Sequence, residues 1–210
     1  MEVKSQDYVD MQRAQGYWAT RKHMLYYKAI YQYVAVVAHD ANSIIDVGSG
    51  GTEYLSWFDW VPNKTALDFK IPHKQPGIET IETDFFEFHT DTKYDLGLCL
   101  EVLEHIEDPG AFCTRLKEIC KSLIVTVPYK WLGGAPGHIQ DPVDEEKLAS
   151  WMKLRPNNWQ VIVEPFREGR IIAYYDLENG PSTRFDKGFI FSVIAEHSTF
   201  DLQASTRSPR

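Results

Sequence analysis

The chain has 210 residues, a length that fits one ordinary domain, and 43% of them are hydrophobic, enough to fill a single core. Its net charge of -8 argues against a nucleic acid or an anionic membrane surface as the main partner, since both reward clustered Lys and Arg. The three cysteines, Cys99, Cys113 and Cys120, are odd in number and form no Cys-x-x-Cys pair, so neither a disulfide framework nor a zinc cage is suggested, no metal site is expected, and a reduced, cytoplasmic compartment fits best.

The N-terminal stretch MEVKSQDYVDMQRAQGYW has no apolar signal segment, and no later stretch approaches the roughly 20 apolar residues that a bilayer span needs. Residues 1–40 read as a helical opening segment. Within it, YWATRKHMLYYKAIYQYVAVVAHD places Leu25, Ile30, Tyr33, Val34 and Val37 at helical spacing, which predicts a helix packed on a sheet, its tyrosines serving as core and rim. NSIIDVG reads as a short buried strand and TEYLSWFDW as a short helix opened by Thr52. KTALDF, GIETIETDF and YDLGLCLE follow as strands, the last a nearly unbroken apolar run of the kind covered on both faces. DPGAFCTRLKEIC is a helix with Pro109 in its first turn, and KSLIVTVPY a strand stopped by Pro128.

Strands separated by helical or loop crossovers imply a mostly parallel, doubly wound, Rossmann-like sheet in a three-layer α/β/α arrangement. A glycine-rich loop and a helix, VDEEKLASWMKL, come next and form a substrate segment over 129–157. The strands WQVIVEPF, RIIAYYDL and GFIFSVIAEH then read as an antiparallel edge. One domain over 1–197 results, with 198–210 as a flexible tail.

The stretch IIDVGSGGTEYL puts a glycine turn at the end of the first strand. A dinucleotide site needs Gly-x-Gly-x-x-Gly, and after Gly48 and Gly50 the third position holds Glu53, whose carboxylate would repel a pyrophosphate. What fits is acid-x-Gly-x-Gly at Asp46, Gly48 and Gly50, with Ser49 between the glycines and bare backbone for an adenosine-like ligand to approach. Asp68 ends the next strand, where a carboxylate accepts hydrogen bonds from a ribose diol. Asp84 ends the third, placed to accept from an adenine amino group, with Phe85 offering an apolar face beside the ring.

With its downstream segments, IIDVGSGGTEYL resembles the class I S-adenosylmethionine-dependent methyltransferases, in particular their small-molecule group, over roughly residues 17–130. It departs from their pattern at Thr52, where a third alternating glycine would stand. The resemblance implies S-adenosylmethionine as cofactor, S-adenosylhomocysteine as product, and Asp46, Gly48, Ser49, Gly50, Asp68, Phe69, Asp84 and Phe85 as cofactor residues. It adds Glu101, near the amino-acid end of the cofactor, and Arg21, which resembles an arginine that pairs with the cofactor carboxylate; a solvated arginine on a helix face reads equally well. S-adenosylmethionine carries a sulfonium and an ammonium but no phosphate, so a rim of carboxylates suits its charge.

CLEVLEHIEDPGAF resembles the same family's segment after the fourth strand. If EVLEHI is helical, Glu101 and His105 share a face and His105 is held near the methyl acceptor, while Glu104 and Glu107 are solvated. His105 packing beneath the site is the competing reading. In GGAPGHIQDPVDEEKL, His138 is a second candidate base, with Asp141 either orienting it or starting the next helix. Tyr129 and Trp131 are candidates for an aromatic platform under a sugar or ring, and Gly133, Gly134 and Gly137 for the hinges of a lid. This segment resembles stretches in methyltransferases of surface-glycan and related small-molecule pathways, so the expected acceptor is a small molecule, a sugar or another metabolite; carbon, nitrogen and oxygen are not separated by the sequence, and the two histidines lean toward a hydroxyl methylated on oxygen. A homodimer is compatible with the sequence. The alternatives are a non-catalytic methyltransferase-like partner or scaffold domain and an NAD(P)-dependent Rossmann oxidoreductase, the latter disfavoured by Glu53.

Overall fold

The computed structural model describes residues 17–72, 74–133, 135–165 and 169–179. The strand expected over 188–197 and the tail from 198 lie outside the described residues, as does Gly134.

Among the described residues, which begin at 17, the helical opening segment holds two helices in place of one continuous helix: α1, Tyr17–Arg21, and α2, Leu25–Val37. Met24 between them is extended, with φ -62° and ψ 144°, and its N–H closes the first helix on the Arg21 carbonyl at 2.8 Å. The break turns Trp18 back onto Tyr27, with ring centroids 4.9 Å apart, so that α1 folds against α2. In α2 the buried residues Tyr26, Tyr27, Ile30 and Val34 recur at three- and four-residue intervals, the stripe that a helix needs to cover a sheet.

Seven strands form one sheet in the order β3-β2-β1-β4-β5-β7-β6: β1 Ser43–Val47, β2 Asn63–Asp68, β3 Glu79–Glu82, β4 Leu96–Leu100, β5 Ser122–Pro128, β6 Asn158–Val163 and β7 Gly169–Asp176. β1 through β5 pair in parallel, while β7 runs antiparallel to both β5 and β6, the arrangement anticipated for the C-terminal edge. Between β4 and β5 lies α3, Pro109–Ile119, and between β5 and β6 lies α4, Glu145–Met152. Each begins at an aspartate whose side chain accepts from a first-turn N–H: Asp108 from Ala111 and Asp144 from Lys147. The segment predicted as a helix after Thr52 is a single 3-10 turn, Tyr54–Trp57. Thr52 does not cap it, because its hydroxyl and N–H both donate to the Ser49 carbonyl and tighten the glycine turn instead.

Alternation along the strands divides the core between two faces. Ile45, Val47 and Cys99 pack with Phe112, Cys113 and Leu116 of α3; Ile44, Leu96 and Leu98 pack with Tyr26, Ile30 and Val34 of α2. The chain leaves β1 toward β2 on one side and reaches β4 on the other, so the crevice at the carboxyl ends of β1 and β4 is the topological switch point where ligands bind in open α/β sheets.

Candidate functional site

A cavity of about 290 Å³ opens at that switch point. Its floor is the Gly48–Ser49–Gly50 turn. Gly48 has φ +80°, and a Cβ there would stand 2.5 Å from Val102 Cγ2, so the glycine is demanded by the approach of the segment after β4 as well as by the turn. The Gly48 and Ser49 N–H groups donate to the Leu67 carbonyl at 2.8 and 3.1 Å. Gly50 N donates to Asp68 Oδ2 at 3.0 Å, while Asp68 Oδ1 accepts from the N–H groups of Lys70 and Ile71. Asp68 therefore ties the end of β2 to the glycine turn.

Beneath the turn lies Asp46, 1% exposed, with neither carboxylate oxygen hydrogen-bonded among the described residues. Burial pushes its pKa up to about 7; the neighbouring Tyr54 hydroxyl, itself without a well-formed hydrogen bond, pulls it down, and the Asp68 charge pushes it up. A buried acid with no hydrogen-bond partner among the described residues is costly to ionise at the base of a cavity, and a cationic ligand would offset that cost.

The opposite wall starts at Glu101, which is not part of a helix with His105: it takes the left-handed conformation, φ 57°, where β4 ends, and a separate 3-10 turn spans Leu103–His105. Its carboxylate accepts from Arg170 Nε at 2.8 Å and from the Thr126 hydroxyl at 3.2 Å. Burial raises the Glu101 pKa and the arginine opposes the rise. The Arg170 guanidinium lies 5.3 Å from the Tyr26 ring and 5.1 Å from the Trp131 ring, and its Nη1 has no hydrogen-bond partner among the described residues.

Glu104, expected in solvent, is fully buried, and both of its carboxylate oxygens lack hydrogen-bond partners among the described residues. The 3-10 turn rotates it inward, and the substrate loop closes over it, with Ile139 N and Gln140 N donating to its backbone carbonyl at 2.9 and 3.2 Å. Its Oε1 lies 3.9 Å from His105 Nε2 and 4.0 Å from His138 Nε2. Burial, and then the Glu101 charge, raise the Glu104 pKa well above the usual carboxylate range; burial lowers that of His105 and favours a neutral imidazole. Asp141 Oδ2 holds His138 Nδ1 at 2.9 Å, and Trp131 stacks on the His138 ring at 5.6 Å with an interplanar angle of 11°.

Arg21, Asp46, Gly48, Ser49, Gly50, Glu101, His105, Trp131 and His138 thus share one cavity. Other residues singled out in the sequence stand elsewhere. Phe85 is turned into the core, its ring 4.5 Å from Phe112, so it does not offer its face to the cavity. Asp84 is exposed and accepts from Phe86 N, Phe69 is 63% exposed under the Lys70 ammonium, and Tyr129 packs against the core while Trp131 takes the wall. The residues that sequence reasoning missed are Arg170, Glu104 and the tyrosines Tyr26, Tyr27 and Tyr54 of the wall. Only Arg170 left a signal, as a lone charge heading the apolar run of β7. Nor is the substrate loop built as a free lid: besides the bonds to Glu104, Lys130 N donates to the Val143 carbonyl at 2.7 Å and Trp131 Nε1 to the Gly169 carbonyl at 2.9 Å.

No family model and no curated protein matches the chain. Solved structures do. The 1,6-didemethyltoxoflavin N1-methyltransferase of Burkholderia thailandensis, with 1,6-didemethyltoxoflavin and S-adenosylhomocysteine bound, superposes with a TM-score of 0.67 at 14% identity, over 82% of this chain and 85% of that one. The N-methyltransferase NodS of Bradyrhizobium japonicum WM9, in complex with S-adenosylhomocysteine, gives 0.63 at 14% identity over 84% and 98%. The N-terminal domain of EvdMO1, crystallised in the presence of S-adenosylhomocysteine and D-fucose, gives 0.52 at 12% identity over 71% and 82%. The architecture is the Rossmann-like fold of the class I methyltransferases.

Proposed function

We propose that the chain is an S-adenosylmethionine-dependent methyltransferase acting on a small-molecule hydroxyl, most simply that of a sugar. The observation that carries this reading is Asp46: a buried carboxylate without hydrogen-bond partners among the described residues, under a glycine turn, at the switch point of this fold. A pyrophosphate would meet repulsion there, whereas a ligand with an ammonium and a sulfonium supplies the missing charge. A cavity of about 290 Å³ is at the small end for a drug-sized ligand, so it suits the amino-acid end of the cofactor and the reacting group of the acceptor. The nucleoside is assigned to the open edge by Asp68 and Phe69, with Asp84 beyond.

When bound, S-adenosylmethionine supplies a methyl carbon whose bond to sulfur breaks as the bond to the acceptor oxygen forms, the electron pair returning to sulfur. Asp46 supplies negative charge on the donor side, Arg21 takes the cofactor carboxylate, and Glu101, held by Arg170, forms the wall on the acceptor side. The walls align donor and acceptor and exclude water, which is most of what an in-line displacement asks of a protein. The acceptor's proton leaves on the side of Glu104, His105 and His138. Two of the fold neighbours are N-methyltransferases by name, so the choice of oxygen rests on that cluster; the sugar draws support from Trp131, from the unpaired Arg170 Nη1, and from the neighbour crystallised with D-fucose. Three buried free thiols suit a reducing compartment, and among the described residues no helix is long and apolar enough to cross a membrane.

Calorimetric titration with S-adenosylhomocysteine and with NADH tests the reading. Micromolar binding of the first and none of the second is expected; the reverse would sink it. Labelled S-adenosylmethionine offered with a panel of sugars then reports the acceptor, and binding without transfer to any acceptor would favour the non-catalytic alternative.

A further inference from the structure

We propose that Glu104, His105 and His138 hold a divalent transition-metal cation, of the zinc, manganese, cobalt or iron type, at the acceptor end of the cavity. One ligand atom from each of the three falls within 4.8 Å of the others. Metal–ligand bonds of about 2.0–2.1 Å would bring such atoms to roughly 3–3.4 Å from one another, so the group closes around an ion by side-chain shifts of less than about 1 Å.

Each imidazole is already oriented as a ligand. Asp141 occupies Nδ1 of His138 at 2.9 Å, and the backbone of Gly137 hydrogen-bonds His105, whose Nδ1 lies 3.2 Å from where a Gly137 Cβ would stand. Both Nε2 atoms are left facing Glu104. A carboxylate or backbone carbonyl on the far nitrogen is the support that metal-bound histidines require. Glu104 supplies the independent observation. It has no solvent exposure, and neither oxygen has a hydrogen-bond partner among the described residues, a condition costing several kcal/mol unless something in the site compensates it. A cation bound between the two imidazoles and the carboxylate provides that compensation. Two nitrogens and one carboxylate suit borderline cations, whereas magnesium and calcium favour all-oxygen sets.

Three protein ligands leave at least one position open toward the cavity. What occupies it follows from the methyltransfer reading, on which this step rests. An acceptor hydroxyl bound there loses its proton to water at a lower pH than in solution, and its oxygen then attacks the methyl carbon. The imidazoles act through the ion instead of taking the proton themselves.

The full-length protein, stripped with EDTA and dialysed, is titrated separately with Zn²⁺, Mn²⁺ and Co²⁺ by calorimetry, with uptake counted by plasma mass spectrometry and the Co²⁺ form read by its visible spectrum. Close to one equivalent is expected. Glu104→Gln and His138→Ala should each weaken binding at least tenfold, and Asp141→Asn, which leaves every ligand in place, about 10- to 100-fold. His39→Ala, at an exposed histidine away from the cavity, should leave uptake unchanged. Circular dichroism checks folding, and Asp141→Asn decides the matter if the ligand variants do not fold. Absence of stoichiometric uptake by the wild type overturns the proposal, as does equal uptake by Glu104→Gln, His138→Ala and Asp141→Asn. S-adenosylhomocysteine is titrated alongside: a cation bound without it supports the metal site and removes the methyltransfer reading, while cofactor bound without a cation does the opposite.

Discussion

The two ends of the cavity are built on different principles. The donor end is a backbone device: one strand, a glycine turn, and Asp68 drawing the neighbouring strand's end onto the turn through Gly50 N. The charged side chain buried beneath the turn is Asp46, left without hydrogen bonds among the described residues. The acceptor end is a side-chain device, in which Glu101 and Glu104 after β4, His138 from the substrate loop and Arg170 from β7 meet across long stretches of sequence. Local geometry thus fixes the first, and long-range pairing the second. Substitutions should fail differently at the two ends.

The largest effect is expected at Asp46. Its pKa is near 7 in the fold and near 3.8 in an unfolded chain. Below pH 4 both states hold the proton; between 4 and 7 the unfolded chain releases it while the folded one keeps it, so stability falls as pH rises. The slope is about 1.4 kcal/mol per pH unit, on the order of 4 kcal/mol across the interval. Asp46→Asn should therefore match the wild type near pH 4 and be the more stable protein at pH 8 in chemical denaturation, while losing at least tenfold in S-adenosylmethionine affinity. Equal stability at pH 8 would mean that the carboxylate is solvated and the donor end has another basis.

Gly48→Ala comes next, at on the order of 3 kcal/mol, because the added Cβ meets both a left-handed backbone and Val102 at 2.5 Å. Adding Val102→Ala should relieve the clash and leave the conformational part, so the double variant recovers some stability but not all; full recovery would show that the turn does not need a glycine. At the acceptor end, Glu101→Gln should cost about 2 kcal/mol by stranding Arg170, whose side chain is only 10% exposed. The pair Glu101→Gln with Arg170→Met should restore most of that. Additive losses would say that the two charges do not act as a unit.

The same contrast explains what could be read from the sequence. The strands, their parallel order and the glycine turn follow from patterns a few residues wide, and Glu53 in place of a third glycine already argued against phosphate. Asp68 and Asp84 were visible as acids after strands, but backbone hydrogen bonds claim them in part, and Phe85 faces the core because β3 ends at Glu82 and the chain turns at Asp84. The break at Met24 has no proline or glycine to announce it. Glu104 was illegible for a physical reason: in a run of acids it reads as solvated, and its burial depends on a left-handed Glu101 and on a loop more than thirty residues later donating to its carbonyl. Spacing does not report such pairings.

The smallest effect, and the finest probe of the donor end, is expected from Tyr54→Phe. The Tyr54 hydroxyl opposes the upward push of burial on the Asp46 pKa. Without it Asp46 should hold its proton to higher pH, so that S-adenosylmethionine affinity drops about two- to fivefold at pH 7, of the size of one modest hydrogen bond, and recovers at pH 8.5. The buried ring remains in place against Tyr27, at 5.7 Å between centroids, so folding stability should change little. Measuring affinity across pH separates the two ways the substitution acts: a shifted profile that converges at high pH means the hydroxyl tunes the acid. A uniform loss at every pH would place the hydroxyl in contact with the ligand, and the donor end would then share the side-chain construction of the acceptor end.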